Sequence, residues 1–299
     1  MLRNRKTAIV LAISVLGALL GVTAPVGAQT QSITQVVQLG DSYSAGYGVL
    51  SPNRAANDGD CLEPGFYNSS VVPGGQLAAQ LGVDYEFHAC GGAMIDDVND
   101  QFTDVRFSIP GDGTGTVIVF TAGGNDVRTA RGEMWPDLLQ RCILRDFSCE
   151  RRSLNQIGNL ADVEGDLEAL VARIASFKPG AQIRVLGYPE LFQRSPWCFG
   201  VTGIDRAEAD FLDRLGRQLN DGLEDAVDAA AARYSRTDIE FVNVEATFDD
   251  HGACQTERSG ERFVNDTEFV PWSLTVASNS FHPTARGYAA YSDLFNASL

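Results

Sequence analysis

A serine and its neighbours form the first block that could do chemistry. Ser42 lies in the segment Gly40-Asp41-Ser42-Tyr43-Ser44, directly after the β-branched run 35–39. A serine just beyond a buried strand is held rigidly, and an imidazole beside it could take its proton as it attacks a carbonyl. The segment lacks the G-x-S-x-G pattern of the nucleophile elbow, since Ser44 stands where the last glycine would be. Gly, Asp and Ser also form ordinary turns, which is the alternative for this block alone.

Two glycine-rich blocks could supply hydrogen-bond donors to a developing oxyanion. They are Ala89-Cys90-Gly91-Gly92-Ala93 and Ala122-Gly123-Gly124-Asn125-Asp126. Paired glycines let the backbone expose N–H groups to a ligand, and the Asn125 amide can donate from a fixed position. Asp126 is expected to anchor its loop or to cap the next helix. A tight turn beside a disulfide, or plain loop chemistry, explains the same residues.

The chain has three histidines that could act as a general base. His88 lies in a strand-like segment, where packing or a loop hydrogen bond is expected. His251 lies in the polar segment Asp249-Asp250-His251-Gly252. His282 stands before Pro283, which keeps the histidine out of the regular helix that follows and suits a first helical turn. His282 is therefore the best-placed base.

Alternating strand-like and helix-like segments must position these loops. Strands are predicted at 35–39, 83–88, 116–121, 182–186 and 239–242, and helices at 75–81, 160–177, 205–234 and 283–295. This alternation predicts a mostly parallel sheet with helices on both faces. In such sheets, sites form at the carboxyl ends of strands near the point where the strand order reverses. The loops after Leu39, His88 and Thr121 are the ones expected to hold the site.

The first residues have the order of an export signal. A basic start precedes the apolar run 7–22, and small residues follow up to Ala28. This order predicts a signal peptide over residues 1–28, with an uncleaved membrane anchor as the alternative. We therefore expect a secreted protein. Because no Pro/Ser-rich linker or repeat divides residues 29–299, we expect a single domain there, and we expect the protein to be a monomer.

Composition narrows the partners and cofactors. The net charge of −16 argues against nucleic acid or anionic membranes as partners recognised through bulk electrostatics. No segment after the leader is long and apolar enough for stable membrane insertion. No Gly-rich phosphate loop, full calcium loop or tight His/Cys cluster occurs, so no cofactor and no metal are expected. Six cysteines in an exported chain predict three disulfides.

Together the blocks resemble a known family. The order of the four blocks resembles that in the SGNH (GDSL-type) hydrolases: GDSYS, a glycine pair, GGND and a histidine before the last helix. Within that family, the chain is most similar to the secreted bacterial lipases and esterases. The resemblance implies a three-layer α/β/α sandwich with a mostly parallel five-stranded sheet of the flavodoxin-like type. It also implies three disulfides, which are Cys61–Cys90, Cys142–Cys149 and Cys198–Cys254.

The same resemblance implies residue roles. Ser42 would be the nucleophile and His282 the base, with the oxyanion held by the backbone N–H groups of Ser42 and Gly92 and by the Asn125 side chain. The family usually carries Asp three residues before the histidine, but Asn279 stands there and cannot supply a carboxylate. The Asn279 carbonyl is then expected to orient His282 in a Ser42–His282 dyad. The alternative is a carboxylate that folds back from elsewhere: Asp249, Asp250 or Asp266.

These roles imply hydrolysis of carboxylic esters through an acyl-enzyme on Ser42. A lipid or other acyl ester is the expected substrate, and a carbohydrate acetyl ester is the alternative. A long apolar trench beside Ser42 would indicate the first, and a shallow cleft floored by aromatic residues the second. Trp135, Trp197 and Trp272 could line either one. A surface binding protein on a hydrolase scaffold is the non-enzyme alternative, which would lack a catalytic position, and none is missing.

Overall fold

Five parallel strands build one sheet in the part of the chain that the structure describes. In this computed structural model, that part comprises residues 32–49, 68–143, 156–192, 204–253, 261–267, 276–277 and 279–299. The strands are β1 (Gln35–Gln38), β2 (Asp84–Phe87), β3 (Thr116–Phe120), β4 (Gln182–Leu186) and β5 (Asp238–Val242). Their order is β2-β1-β3-β4-β5, and every pairing between neighbours is parallel. The predicted sheet is confirmed.

Helices connect these strands. Within the described residues they are α1 (Ser42–Ala45), α2 (Pro73–Leu81), α3 (Ile95–Val105), α4 (Trp135–Ile143), α5 (Leu160–Phe177), α6 (Arg206–Arg233), α7 (Glu245–Phe248) and α8 (Ala285–Ala297). The predicted helix 160–177 has the same bounds in the structure, and the predicted helix 205–234 is one residue shorter at each end. The last helix begins at Ala285 instead of Pro283, because Thr284 is its N-cap and accepts the N–H of Gly287.

The two strands that carry most of the site are buried on both faces. Every residue of β1 and β3 is buried. Since successive strand residues point to opposite faces, both faces of the sheet must be covered at this point. Helices α2 and α8 pack on one another with α2 against β1 and β2, whereas α5 and α6 pack on one another with α6 against β5. The predicted layers of helices around a parallel sheet are therefore present.

Helix α3 is an element that the sequence prediction lacks. Its buried residues are Ile95, Val98, Phe102 and Val105, which follow the spacing of three and four that defines one helical face. The other positions are mostly acidic or polar, and Asp96 and Asp97 lie in its first turn. The helical period is thus readable in the sequence once the segment is tested for it.

The cysteines and the leader fall mostly outside the described residues. Cys90 and Cys142 lie within them, and both are disulfide-bonded. Their predicted partners, Cys61 for Cys90 and Cys149 for Cys142, lie outside the described residues. Both cysteines of the predicted pair Cys198–Cys254 and residues 1–28 also lie outside them. Among the described helices, none combines the length and hydropathy needed to cross a bilayer.

Strand order locates the place where a site can form. In the order β2-β1-β3-β4-β5, strand β2 lies on one side of β1, whereas β3 and the later strands lie on its other side, so the strand order reverses between β1 and β3. Loops that leave the carboxyl ends of β1 and β3 diverge and leave a crevice between them. The segments 40–48 and 121–128 begin at these two ends.

Candidate active site

Ser42 and His282 come together although 240 positions separate them in the chain. Ser42 is the first residue of α1, and His282 lies on the loop before α8. The Ser42 Oγ and the His282 Nε2 are 2.7 Å apart, and both residues are half-buried. This is the distance at which an imidazole can accept the proton of a serine hydroxyl.

Gly40 and Asp41 form the turn that presents Ser42. Gly40 has a φ of +115°, which favours glycine, and a Cβ there would lie 2.5 Å from the carbonyl oxygen of Thr121. Asp41 is the N-cap of α1, since its carboxylate accepts the N–H of Tyr43 at 3.0 Å. The sequence Gly-Asp-Ser therefore forms a sharp turn from β1 into α1, with the half-buried serine at the start of the helix.

A backbone carbonyl orients the His282 ring, but it belongs to a different residue from the one expected. The Nδ1 of His282 lies 3.1 Å from the carbonyl oxygen of Ser280. The Asn279 carbonyl instead accepts the backbone N–H of His282 at 3.2 Å, which closes the tight turn 279–282. Phe281, inside this turn, has a φ of +61°. The expected role of Asn279 is thus corrected to Ser280.

This contact also fixes the tautomer of His282. A carbonyl oxygen can only accept a hydrogen bond, so the ring hydrogen stands on Nδ1. Nε2 is then the unprotonated nitrogen that faces Ser42. Asp266, one of the alternative carboxylates, forms an ion pair with Arg262.

Asn125 and Asp126 lie on the loop after the carboxyl end of β3, and their side chains have different roles. The Asn125 Nδ2 donates to the Ala93 carbonyl at 3.0 Å, which holds the amide in place beside the crevice. The Asp126 carboxylate accepts the N–H of Ile95, the first residue of α3, at 3.1 Å. The anchoring role predicted for Asp126 is confirmed, although the helix it caps precedes it in the chain. Burial raises the pKa of Asp126 to about 6.

The two glycines of the block after β2 are required for different reasons. A Cβ on Gly91 would lie 2.2 Å from the Tyr47 hydroxyl, so this position allows no side chain. Gly92 has a φ of +77°, and a Cβ there would meet nothing within 4 Å. Gly92 is therefore glycine because of its backbone conformation, which turns the chain next to the crevice.

The other two histidines are engaged elsewhere. His251 Nδ1 lies 2.8 Å from the Glu261 carbonyl, and its ring stacks on Phe263. His88 pairs with Glu86 at 3.4 Å on the edge strand β2. Both occupy structural positions, as the sequence indicated for His88.

A pocket opens directly beside the Ser42–His282 pair. Its volume is about 490 Å³, and Ser42, Asn125 and His282 are among its lining residues. The walls are mostly apolar and come from α4 and α6, which contribute Trp135, Leu139, Ile143, Leu212, Leu215 and Leu219. This space is called the apolar pocket below. Trp197 and Trp272 lie outside the described residues.

Three residues near Ser42 form a hydrogen-bonded cluster that the sequence did not indicate: Asp41, Thr121 and Tyr188. The buried Asp41 carboxylate accepts the hydroxyl hydrogens of Thr121 and Tyr188, both at 2.5 Å. Burial raises the pKa of Asp41 to about 6, although these hydrogen bonds lower it. No sequence signal identifies Tyr188, because it follows β4 in a segment without a glycine-rich block.

Comparison with known proteins assigns the family. The profile of the GDSL-like Lipase/Acylhydrolase family matches residues 39–290. The chain belongs to this family. A lipase from Streptomyces rimosus is 30% identical over 95% of this chain and 94% of its own length. Lipase 1 of Streptomyces coelicolor is 28% identical over 90% of this chain and 88% of its own length.

Solved structures confirm the fold. Phospholipase A1 from Streptomyces albidoflavus superposes with a TM-score of 0.67 at 23% identity, covering 90% of this chain and all of that one. The extracellular lipase of Streptomyces rimosus superposes with a TM-score of 0.66 at 26% identity, covering 89% of this chain and all of that one. The family match and the lipase relatives show that this GDSL-type protein is a carboxylic ester hydrolase, as its sequence blocks predicted.

Proposed function

We propose that this protein is an exported lipase or esterase that hydrolyses esters of apolar acyl chains through an acyl-enzyme on Ser42. The observation that carries the proposal is the 2.7 Å contact between Ser42 Oγ and His282 Nε2 in the lining of the apolar pocket. It brings a nucleophile and an unprotonated base together where an acyl chain has room to lie.

The reaction begins with proton transfer from Ser42 to His282. The Ser42 Oγ forms a bond to the ester carbonyl carbon while Nε2 takes the hydroxyl proton, and the carbonyl oxygen becomes an oxyanion. The C–O bond to the alcohol then breaks, and the alcohol leaves with the proton from Nε2. A water molecule, deprotonated by the same nitrogen, attacks the acyl-enzyme and releases the acid. The Ser280 carbonyl stabilises the imidazolium that forms in each step.

The oxyanion is held by Asn125 and by the backbone N–H groups of Ser42 and Gly92. An amide nitrogen carries two hydrogens, and the bond from Asn125 Nδ2 to Ala93 uses one of them. The second can donate to the oxyanion from a position that is already fixed. Such fixed donors stabilise the transition state more than the ground state, which is the requirement for catalysis.

The apolar pocket supports an acyl chain rather than a sugar as the group that is recognised. Its walls on α4 and α6 are mostly leucine and isoleucine side chains, with Trp135 as one apolar residue among several and Gln140 and Asp213 as polar ones. Burying a methylene group stabilises a complex by about 0.8 kcal/mol. A sugar would leave most of its hydroxyl groups without partners on such walls. This observation favours lipid or other acyl esters over carbohydrate acetates.

Export and disulfides complete the proposal. The basic start and the apolar run support a signal peptide over residues 1–28, and one relative is described as an extracellular lipase. Cys90 and Cys142 are disulfide-bonded, and the resemblance to the secreted lipases and esterases implies Cys61 and Cys149 as their partners and Cys198–Cys254 as the third pair. We expect the mature protein to act as a monomer.

Steady-state hydrolysis of a panel of nitrophenyl esters tests this function. Ser42→Ala and His282→Ala should each lose nearly all activity on every ester, whereas His88→Ala should keep it because that ring is outside the site. Wild-type kcat/KM should rise from acetyl to longer acyl groups. Full activity of Ser42→Ala would refute the mechanism, and a preference for acetyl esters would refute the proposed substrate class.

A further inference from the structure

Tyr188 connects two loops that the proposed mechanism needs in register. It follows strand β4 and is 8% exposed. Its hydroxyl donates to Oδ2 of Asp41 at 2.5 Å and accepts the backbone N–H of Gly124 at 2.9 Å. One oxygen atom thus ties the turn after β1 to the turn after β3.

Each of these two partners stands next to a reacting group. Asp41 directly precedes Ser42, and Gly124 directly precedes Asn125. The other carboxylate oxygen of Asp41 accepts from Thr121 and from the Tyr43 N–H, so the whole carboxylate is held. Any shift of the Tyr188 hydroxyl would therefore move the nucleophile and the oxyanion donor relative to one another.

Tyr188 is itself clamped from the opposite side by helix α6. The side chain of Asn220 accepts the backbone N–H of Tyr188 at 2.8 Å and donates to its carbonyl at 2.7 Å. The ring of Tyr43 packs edge-on against the Tyr188 ring, with centroids 5.3 Å apart. The hydroxyl is thus at the end of a side chain whose backbone and ring are both fixed.

We propose that Tyr188 is a positioning residue that sets the distance between the Ser42 nucleophile and the Asn125 oxyanion donor. The inference depends on the proposed function, because it assigns Tyr188 to the geometry of that same site. Tyr188 acts through Asp41 and Gly124 and does no chemistry itself. A shift of a hydrogen-bond donor by about 1 Å is enough to weaken oxyanion stabilisation, so the one hydroxyl that fixes the donor's position can control the rate.

Tyr188→Phe tests this role because it removes the hydroxyl and keeps the ring. With a nitrophenyl butanoate substrate we expect kcat to fall about tenfold or more, with KM unchanged within about twofold, since the loss occurs in the transition state. The matched control is Tyr85→Phe, whose hydroxyl donates to the Ser69 carbonyl at 3.1 Å on the edge strand. It removes a tyrosine hydroxyl hydrogen bond without touching either loop, and should leave kcat unchanged.

A second variant breaks the same contact from its other end. In Asp41→Asn the Oδ1 acceptor for Tyr43 and Thr121 is retained, while an NH2 group, which cannot accept a hydrogen bond, replaces the oxygen that accepts from Tyr188. The double variant should lose no more kcat than the more impaired single variant, because both remove one connection.

Three results would overturn the proposal. They are an unchanged kcat in folded Tyr188→Phe, an increase in KM instead of a loss in kcat, and losses in the two variants that simply multiply. The Ser42→Ala variant separates this inference from the function. If Ser42→Ala is inactive and Tyr188→Phe resembles wild type, only the role of Tyr188 fails.

Discussion

Gly216 gives the sharpest test of how the apolar pocket selects substrates. This glycine lies on α6 and lines the pocket, and a Cβ built on it would meet nothing within 4 Å. A leucine side chain at this position would therefore extend into the space that we assign to the acyl chain. Since the Cβ itself meets no neighbour, Gly216→Leu should reduce the volume of the pocket without a clash at the helix backbone.

The expected change in selectivity follows from the burial of methylene groups. Each buried methylene contributes about 0.8 kcal/mol, which corresponds to about a fourfold increase in kcat/KM. An octanoyl ester has four more methylenes than a butanoyl ester, so full burial allows a preference of about 200-fold. If the introduced leucine side chain excludes two methylene positions, the ratio of octanoyl to butanoyl kcat/KM falls about 15-fold.

The assay compares kcat/KM on nitrophenyl butanoate and octanoate for wild type and for two variants. Gly165→Leu is the matched control, since Gly165 lies in α5 with equally open space around its Cβ and does not line the pocket. Both variants should be as stable as wild type or more stable, because leucine exceeds glycine in helix propensity by roughly 0.5–1 kcal/mol. An unchanged octanoyl-to-butanoyl ratio in a folded Gly216→Leu variant would refute the assignment of the pocket.

Two further predictions concern a buried carboxyl and the oxyanion donor. Burial raises the pKa of Asp213, which accepts the N–H groups of Leu191 and Phe192, to about 8. This carboxyl is ionised in the unfolded chain at neutral pH but still protonated in the folded one. Folding stability is therefore lost as pH rises towards and through the folded pKa, by roughly 1 kcal/mol from pH 7 to pH 9. Thermal denaturation should show this loss in wild type and not in Asp213→Asn, and identical slopes would contradict it. Asn125→Ala should lower kcat about 10²–10³-fold with little change in KM, and steady-state kinetics that show a loss confined to KM would contradict the oxyanion role.

The regular elements could be read from the sequence because their burial patterns are local. Strand β3 is a continuous apolar run bounded by glycines, and it is buried along its whole length. Helix α5 matches its predicted bounds because an apolar face ends at a Lys-Pro-Gly stop. The loops after β1 and β3 could also be predicted as the location of the site, because a parallel sheet brings the carboxyl ends of its strands together.

The features that could not be predicted depend on backbone geometry and on distant contacts. The path of the tight turn 279–282, in which Phe281 has a positive φ, decides whether the Asn279 or the Ser280 carbonyl contacts the Nδ1 atom of His282. The hydrogen bond between Tyr188 and Asp41 joins residues 147 positions apart, and no sequence motif links the two. Such contacts become visible only when the strands are placed side by side.

The central claim is that Ser42 is the residue that becomes acylated. Incubation of the mature protein with a fluorophosphonate, followed by proteolysis and mass spectrometry of the peptides, locates the modified side chain directly. The account predicts one adduct per chain, on the peptide that contains Ser42, and its absence in Ser42→Ala and His282→Ala. An adduct on a different serine, or no adduct in a protein that hydrolyses esters, would contradict the account.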